Sequence, residues 1–347
     1  IQSIPAATFS EILSLLDPQH FVIPFRDIHE EISTAVTFRL EVPPIQEIHD
    51  EFTGIIEALV LARKSSGMKL GLVDYKQMLK CTSAVGNAEA ANSIWREMQN
   101  DKIAPDTECY NLLLSAIVWN KHHRPEARHG LRITRWNLKW RATESRGRPY
   151  MGLSPKRNWD YTGYKIGPGG IKDVMNSWFR EMLNRNCLPT EKTFTLLMEA
   201  YGREGDVKSV HSILKKVWNV DIVSIQKGRS VTSAAAAASQ SSSTLRPSVD
   251  LLHTLARVFG MNNDVPTAMK LVDFVARNYN LEIPETVWAL LLEWTFVLSK
   301  GRSARKAHPS ARSGKLVMDS PEKLWNIMVS PPYNVKPTIP MYNRLMK

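Results

Sequence analysis

DYKQMLKCTSAVGNAEAANSIWREMQNDKIAPDTECYNLLL, running from Asp74 to Leu114, is the stretch on which the fold turns. Tyr75 and Tyr110 occupy equivalent points in it, 35 residues apart. Between them lie an apolar helix around Met78 and Leu79, a break at Gly86, and a second helix whose Ala90, Ala91, Ile94, Trp95 and Met98 fall on one face. Pro105 and Asp106 then stop that helix, because proline has no N–H to give and restricts the residue before it. One two-helix unit has ended and a second has begun.

The cadence recurs downstream. In NSWFREMLNRNCLPTEKTFTLLM, from Asn176 to Met198, Trp178, Met182, Pro189 and Phe194 answer to Ile94, Met98, Pro105 and Tyr110. Weaker echoes are LVDFVARNYNLEIPETVWALL, from Leu271 to Leu291, and LWNIMVSPPYNVKPTIPMYNRLM, from Leu324 to Met346. The helix-ending prolines Pro105, Pro189, Pro247, Pro284 and Pro337 stand 84, 58, 37 and 53 residues apart. One interval is nearly a bare repeat; the others hold a repeat plus extra chain.

A hairpin of about 35 residues cannot cover its own apolar stripe, so consecutive hairpins stack and share a core. The predicted fold class is all-α, a right-handed α-solenoid of helical hairpins with long loop insertions. Residues 1–68 read as an irregular arm and a degenerate hairpin, with apolar positions at Phe52, Ile55, Ile56, Leu59, Val60 and Leu61. Repeats are expected over 69–120, 171–224, 247–299 and 319–347, with a basic aromatic insertion over 121–170. An Ala/Ser-rich linker is expected over 225–246, around VTSAAAAASQSSST, and a basic loop over 300–318. The chain opens on Ile1 rather than Met, which suggests processing, and MYNRLMK reads as the first helix of a further unit.

Composition narrows the function. The formal charge is +11, which points toward polyanionic partners. Cys81, Cys109 and Cys187 lie far apart in apolar helical patterns and read as small buried hydrophobes in a reduced compartment. No stretch approaches the ~20 apolar residues of a membrane span, which predicts a soluble or peripheral protein; peripheral inner-membrane association fits too.

The 35-residue two-helix unit, with its aromatic residue followed by a specificity position and its Pro-Asp end, resembles the pentatricopeptide repeat (PPR) family. The segments PDTECYN, RPEARHGLRITRWNLKWR, YTGYKIGPGGIKD and LMEAYGREGDVKSVHSILKKVWNVDI resemble the fungal mitochondrial ATPase-expression proteins, over roughly Ile4 to Asp221. That resemblance implies a mitochondrial-matrix factor acting on one messenger RNA, which encodes an ATP synthase subunit, to stabilise it or activate its translation. It also implies base-facing positions: Lys76 with Asp106, Asn111 with Thr190, and then Thr195, His253 and Asn343. Lys76 departs from the family's usual Asn, Ser or Thr, and the insertion after Asn111 could disturb a one-repeat, one-base spacing.

The insertion from Lys121 to Gly170 holds twelve Lys/Arg and three acids, Glu126, Glu144 and Asp160. Arg128, Arg132, Arg135, Lys139 and Arg141 are interleaved with Trp136 and Trp140, and Trp159, Tyr161 and Tyr164 follow. Arginines grip phosphates and aromatic rings stack on unpaired bases, which favours RNA contact over mere docking and solvation. The GPGG at Gly167–Gly170 lacks P-loop spacing and reads as a tight turn. His122, His123 and His129 have no partners at metal-ligand spacing, and no catalytic constellation is recognisable. The reading is a non-enzyme without metal or cofactor that binds single-stranded mitochondrial RNA and no small-molecule substrate. The alternatives are a stable component of the mitochondrial ribosome and a protein scaffold in respiratory-complex assembly.

Overall fold

Gly86 and Asn87 set the pattern for the hairpins. In the computed structural model, Gly86 closes one helix in the left-handed region at φ 64°, and Asn87 caps the next by accepting from the N–H of Ala90 at 3.0 Å. Gly205 with Asp206 and Asn263 with Asp264 repeat the device, with φ 77° and 64° at the turn and caps to Ser209 and Thr267 at 3.1 and 3.2 Å. The other end of each hairpin has its own mark. Lys102, Asn186, Asn280 and Asn334 take positive φ a few residues before Pro105, Pro189, Pro284 and Pro337. Three of the four are Asn, the side chain that best tolerates this region after glycine.

The structure describes residues 4–31, 34–121, 131–145, 163–227, 243–299 and 316–345. They are helical, without β-strand among the described residues. The helices fall into two compact units. One comprises described residues up to 121 with 163–165 and 169–188; the other comprises 131–145, 166–168 and 189–345.

The first unit begins with α1 (Ala6–Leu15), α2 (Pro18–Phe21), α3 (Ile23–Glu31), α4 (Thr34–Arg39) and α5 (Ile45–Ser65). The arm is thus helical in four short pieces, and it is tied down. Phe9 and Leu13 of α1 are buried, Ser10 donates to Asp74 at 2.6 Å, and Lys80 pairs with Asp17 at 2.6 Å. The first hairpin follows as α6 (Leu72–Val85) and α7 (Ala88–Asn100). The second is α8 (Thr107–Val118) and α10 (Ile171–Asn184), so the long insertion lies between the two helices of one hairpin. Tyr75 and Tyr110 are fully buried, and Trp95 meets Tyr110 and Trp178 edge-on at 4.8 and 5.3 Å. Such ring pairs each add roughly 0.5–1.5 kcal/mol beyond burial.

The second unit holds α9 (Arg135–Ser145) from the insertion, then the hairpin α11 (Glu191–Arg203) and α12 (Val207–Trp218), and the short α13 (Ile222–Gln226). The hairpin α14 (Val249–Met261) and α15 (Val265–Tyr279) comes next, followed by α16 (Glu285–Ser299) with α17 (Ser320–Val329). Then α18 (Ile339–Leu345) starts another first helix. First helices pack directly on first helices, α11 on α14, α14 on α16 and α16 on α18. Glycines permit the approach. A Cβ at Gly260 would lie 2.3 Å from the Trp294 ring, and one at Gly202 would lie 2.8 Å from Val258.

Candidate nucleic-acid interface

Counting from the residue before each first helix, 71, 106, 190, 248, 284 and 338, puts the repeat aromatic or its replacement at the fourth place. These are Tyr75, Tyr110, Phe194, Leu252, Trp288 and Tyr342. The fifth place holds Lys76, Asn111, Thr195, His253, Ala289 and Asn343. All five candidates named from sequence for this place therefore share one register. At about 100° per residue, the second, fifth and ninth places fall within about 60° of each other on the helix. On each first helix they form a polar face: Glu108, Asn111 and Ser115 on α8 of the first unit; Lys192, Thr195 and Glu199 on α11 and Asp250, His253 and Arg257 on α14 of the second.

Within each unit this face is cross-linked from helix to helix. In the first, Lys76 reaches Asp106 at 2.5 Å and Glu108 at 2.8 Å. The pair Lys76 and Asp106, matched from sequence, is brought together. In the second, Lys192 meets Asp250 at 2.7 Å, Arg257 meets Glu199 at 2.8 Å, and His253 Nε2 lies 3.0 Å from the Thr286 hydroxyl. The cations of the ladder are neutralised by carboxylates on the neighbouring repeat.

The electrostatics follow. The bonds to Asp106 and then Glu108 hold the Lys76 ammonium above its ordinary range. Burial works to raise Asp106, but Lys76 and the Cys109 N–H hold it below the usual carboxylate range. Burial pushes His253 down to about 4, with Arg257 assisting, so its ring is neutral near pH 7. Burial lifts the Cys81 and Cys109 thiols to about 12 and the Cys187 thiol upward, which leaves all three poor nucleophiles.

The remaining sequence candidates divide. Asn111 and Thr190 are half-buried, and Thr190 shapes the start of α11 by donating its backbone N–H to Thr193 Oγ1 at 3.1 Å. Asn343 is exposed. Thr195 is 2% exposed, and its hydroxyl donates to the Lys192 carbonyl at 2.9 Å. In the insertion, Arg132 and Arg141 make contacts within their own unit. Arg132 Nε donates to Asn263 at 2.7 Å, and Arg141, wholly buried, donates to the Arg203 carbonyl at 2.5 Å. Both fasten α9 to its own unit. Arg135, Trp136 and Lys139 are exposed on α9. Arg128, the Trp140 side chain, Trp159, Tyr161 and the three loop histidines lie outside the described residues.

Gly167 and Gly169 adopt φ 80° and 72°, and their N–H groups donate to Glu204 at 3.4 Å and Asp173 at 3.0 Å. Carboxylates of the protein hold these amides in a turn. Among the described residues no three His, Cys, Asp or Glu side chains gather as a metal site, and no helix is long and apolar enough to cross a membrane.

Sequence reasoning missed Glu108, Lys192, Glu199, Asp250, Arg257 and Thr286. The available signal was polar residues spaced by three and then four along each first helix.

Residues 52–120 match the pentatricopeptide repeat domain, and residues 191–308 match a family described as mitochondrial ATPase expression. The chain is 20% identical over 230 residues to pentatricopeptide repeat-containing protein 6, mitochondrial, of Schizosaccharomyces pombe, covering 66% of this chain and 43% of that one. Among solved structures, PPR10 in complex with an 18-nt psaJ RNA element aligns over 99% of this chain and 37% of its own, at 14% identity and a TM-score of 0.49. PPR10 from maize aligns over 99% and 51%, at 15% identity and a TM-score of 0.23. The chain spans less than half the length of the curated relative it matches.

Proposed function

We propose, from the premise that this chain carries pentatricopeptide repeats, that it is a mitochondrial RNA-binding protein of the matrix, acting in organelle gene expression and not as an enzyme. The single observation that carries the reading is the polar face repeated in register on the first helices. Its charges are largely matched among themselves. Such a face offers hydrogen bonds rather than a bare cationic trough, which suits the edges of splayed bases better than phosphates. Lys76 with Asp106, Asn111 with Thr190, His253 and Asn343 are the base-contacting residues in this account.

The match over 191–308 supports a target among messages for the mitochondrially encoded part of ATP synthase, which the protein would stabilise or deliver to translation. The mitochondrial relative supports the compartment. The test is ultraviolet crosslinking of the tagged protein in intact mitochondria, followed by sequencing of the attached RNA. A sharp peak in one messenger leader is expected. Peaks confined to ribosomal RNA would make the protein a ribosome component, and no crosslinks above background would replace RNA binding with a protein-scaffold role.

A further inference from the structure

From Val207 to Val249 the sequence holds six Lys/Arg and a single acid, Asp221. The helix that opens this stretch, α12, has two unlike sides. Val210, Leu214 and Trp218 share a buried one. Opposite them, within an arc of about 100°, stand Lys208, Ser212, Lys215 and Lys216, all exposed. Of these lysines Lys215 alone meets a carboxylate among the described residues, Asp221 at 3.9 Å, and that pair is open to water. The charge does not stop at α12. Asp221 caps α13 by accepting from the N–H of Val223 at 3.0 Å, and the Gln226 carbonyl at the far end of α13 accepts from Lys270 of α15 at 3.2 Å. Lys227 and Lys270, both exposed, therefore extend the same cationic surface, and Val223 beside them is 50% exposed.

This surface is not the ladder. α12 meets α11 at Phe194, whose ring stands edge-on to Trp218 at 6.2 Å, and the fourth place that Phe194 holds is at least about 100° around the helix from the second, fifth and ninth. Nor does the surface suit unpaired bases. Trp218 is 5% exposed with its indole N–H on the Leu245 carbonyl at 2.8 Å, and His211 stacks on Phe259 at 6.0 Å, so α12 offers no ring to a base. The charges on α12, α13 and α15 that form this surface are all lysines, hydrated point charges on flexible stems, without the arginine forks that fit single phosphates. They are spread along one helix and across its neighbours instead of converging on a cleft. Lysines around an exposed aliphatic side chain match a broad anionic sheet with an apolar layer beneath it.

We infer that the lysine face of α12, α13 and α15 docks on the surface of an anionic lipid bilayer, with Lys208, Lys215, Lys216, Lys227 and Lys270 at the headgroups and Val223 at their boundary with the acyl chains. The inference goes beyond the RNA-binding reading and does not depend on it. Docking by this face leaves the ladder of the same unit uncovered.

The test is co-flotation of the whole chain with vesicles of phosphatidylcholine alone and of an equal mixture of phosphatidylcholine and phosphatidylglycerol. Binding to the mixed vesicles only, weakened by salt, is expected. Lys208→Gln, Lys215→Gln and Lys216→Gln together should weaken it on the order of 100-fold, at about 5-fold for each lysine at an anionic surface. Val223→Ser should weaken it by roughly 3-fold. The control removes the same charge elsewhere, by Lys69→Gln, Lys102→Gln and Lys336→Gln together, and should leave binding near that of the parent. Thermal melting at the parent temperature establishes that each variant is folded. Equal losses in the two triple variants would mean that net charge alone governs the attraction, and would overturn the assignment to this face. No binding by the parent, or equal binding to both kinds of vesicle, would overturn it as well. Loss of duplex RNA binding in the α12 variant, with vesicle binding intact, would give the lysines to RNA and sink the bilayer contact.

Discussion

The ladder on α11 and α14 and the insertion helix α9, a strap tied to the ends of those two helices, belong to one unit, and their cations are held by different partners. On the ladder Lys192 and Arg257 end on Asp250 and Glu199 of the neighbouring first helix, so charge is cancelled where it stands. On the strap Arg132 and Arg141 donate to an amide oxygen and a backbone carbonyl of their own unit. Ion pairs between first helices thus tie the ladder together, whereas hydrogen bonds to an amide oxygen and a helix-end carbonyl tie α9 down. Net charge alone does not reveal such a division.

The largest effect should come from breaking the frame on which the ladder is mounted. Gly260→Ala places a methyl group 2.3 Å from the Trp294 ring, which has to move. We expect a loss of about 2–3 kcal/mol, more than the ~1 kcal/mol that alanine gains over glycine in a helix, read as a lower melting temperature. An unchanged or raised melting temperature would mean that α14 and α16 do not approach as closely as described. Next in size, Arg141→Leu should cost about 2 kcal/mol, because it leaves the Arg203 carbonyl without this charged donor in a buried place. Lys192→Gln on the ladder should cost less than about 1 kcal/mol, since both partners of its ion pair are about half exposed. If the two substitutions cost the same, the contrast between strap and ladder fails.

A smaller effect should come from pH. His253 has its folded pKa depressed from 6.5 to about 4, so between these values the unfolded chain binds a proton that the folded chain does not. Its contribution to stability is therefore intact above about pH 6.5 and declines as the pH falls toward 4. His49, also depressed to about 4 by burial, acts in the same direction. His253→Gln should flatten the acid limb of denaturant-measured stability without abolishing it. An acid limb identical to the parent's would show that the His253 ring is not held neutral by its surroundings.

The hairpins were legible in the sequence because their punctuation is local. Tyr75 and Tyr110 at 35 residues, the break at Gly86 and the prolines before each first helix are all set by neighbours a few positions away. The fifth-place register was legible for the same reason. Its partners were not: Lys192 meets Asp250 and Arg257 meets Glu199 across a long interval filled by a second helix and a linker of unpredictable length. The bond of the Thr195 hydroxyl to its own helix was not legible, because a threonine hydroxyl is satisfied as well by its own helix as by a ligand. The contacts of Arg132 and Arg141 were not legible either, because a count of cations is blind to the oxygens that distant segments bring near. The arm before α5 looked irregular because its helices are too short to show a period, although α1 is held firmly on α6.

The central claim is that Lys76, Asn111, His253 and Asn343, at the fifth place, meet bases. Selection of bound RNA from a random pool, for the parent and for Asn111→Asp, tests it most directly. An amide both donates and accepts, whereas a carboxylate only accepts, so the substitution should change the preferred base at one position toward an edge that presents donors. All other selected positions should stay as they were. An identical selected sequence, or a uniform change in affinity with no shift at any position, would contradict the account.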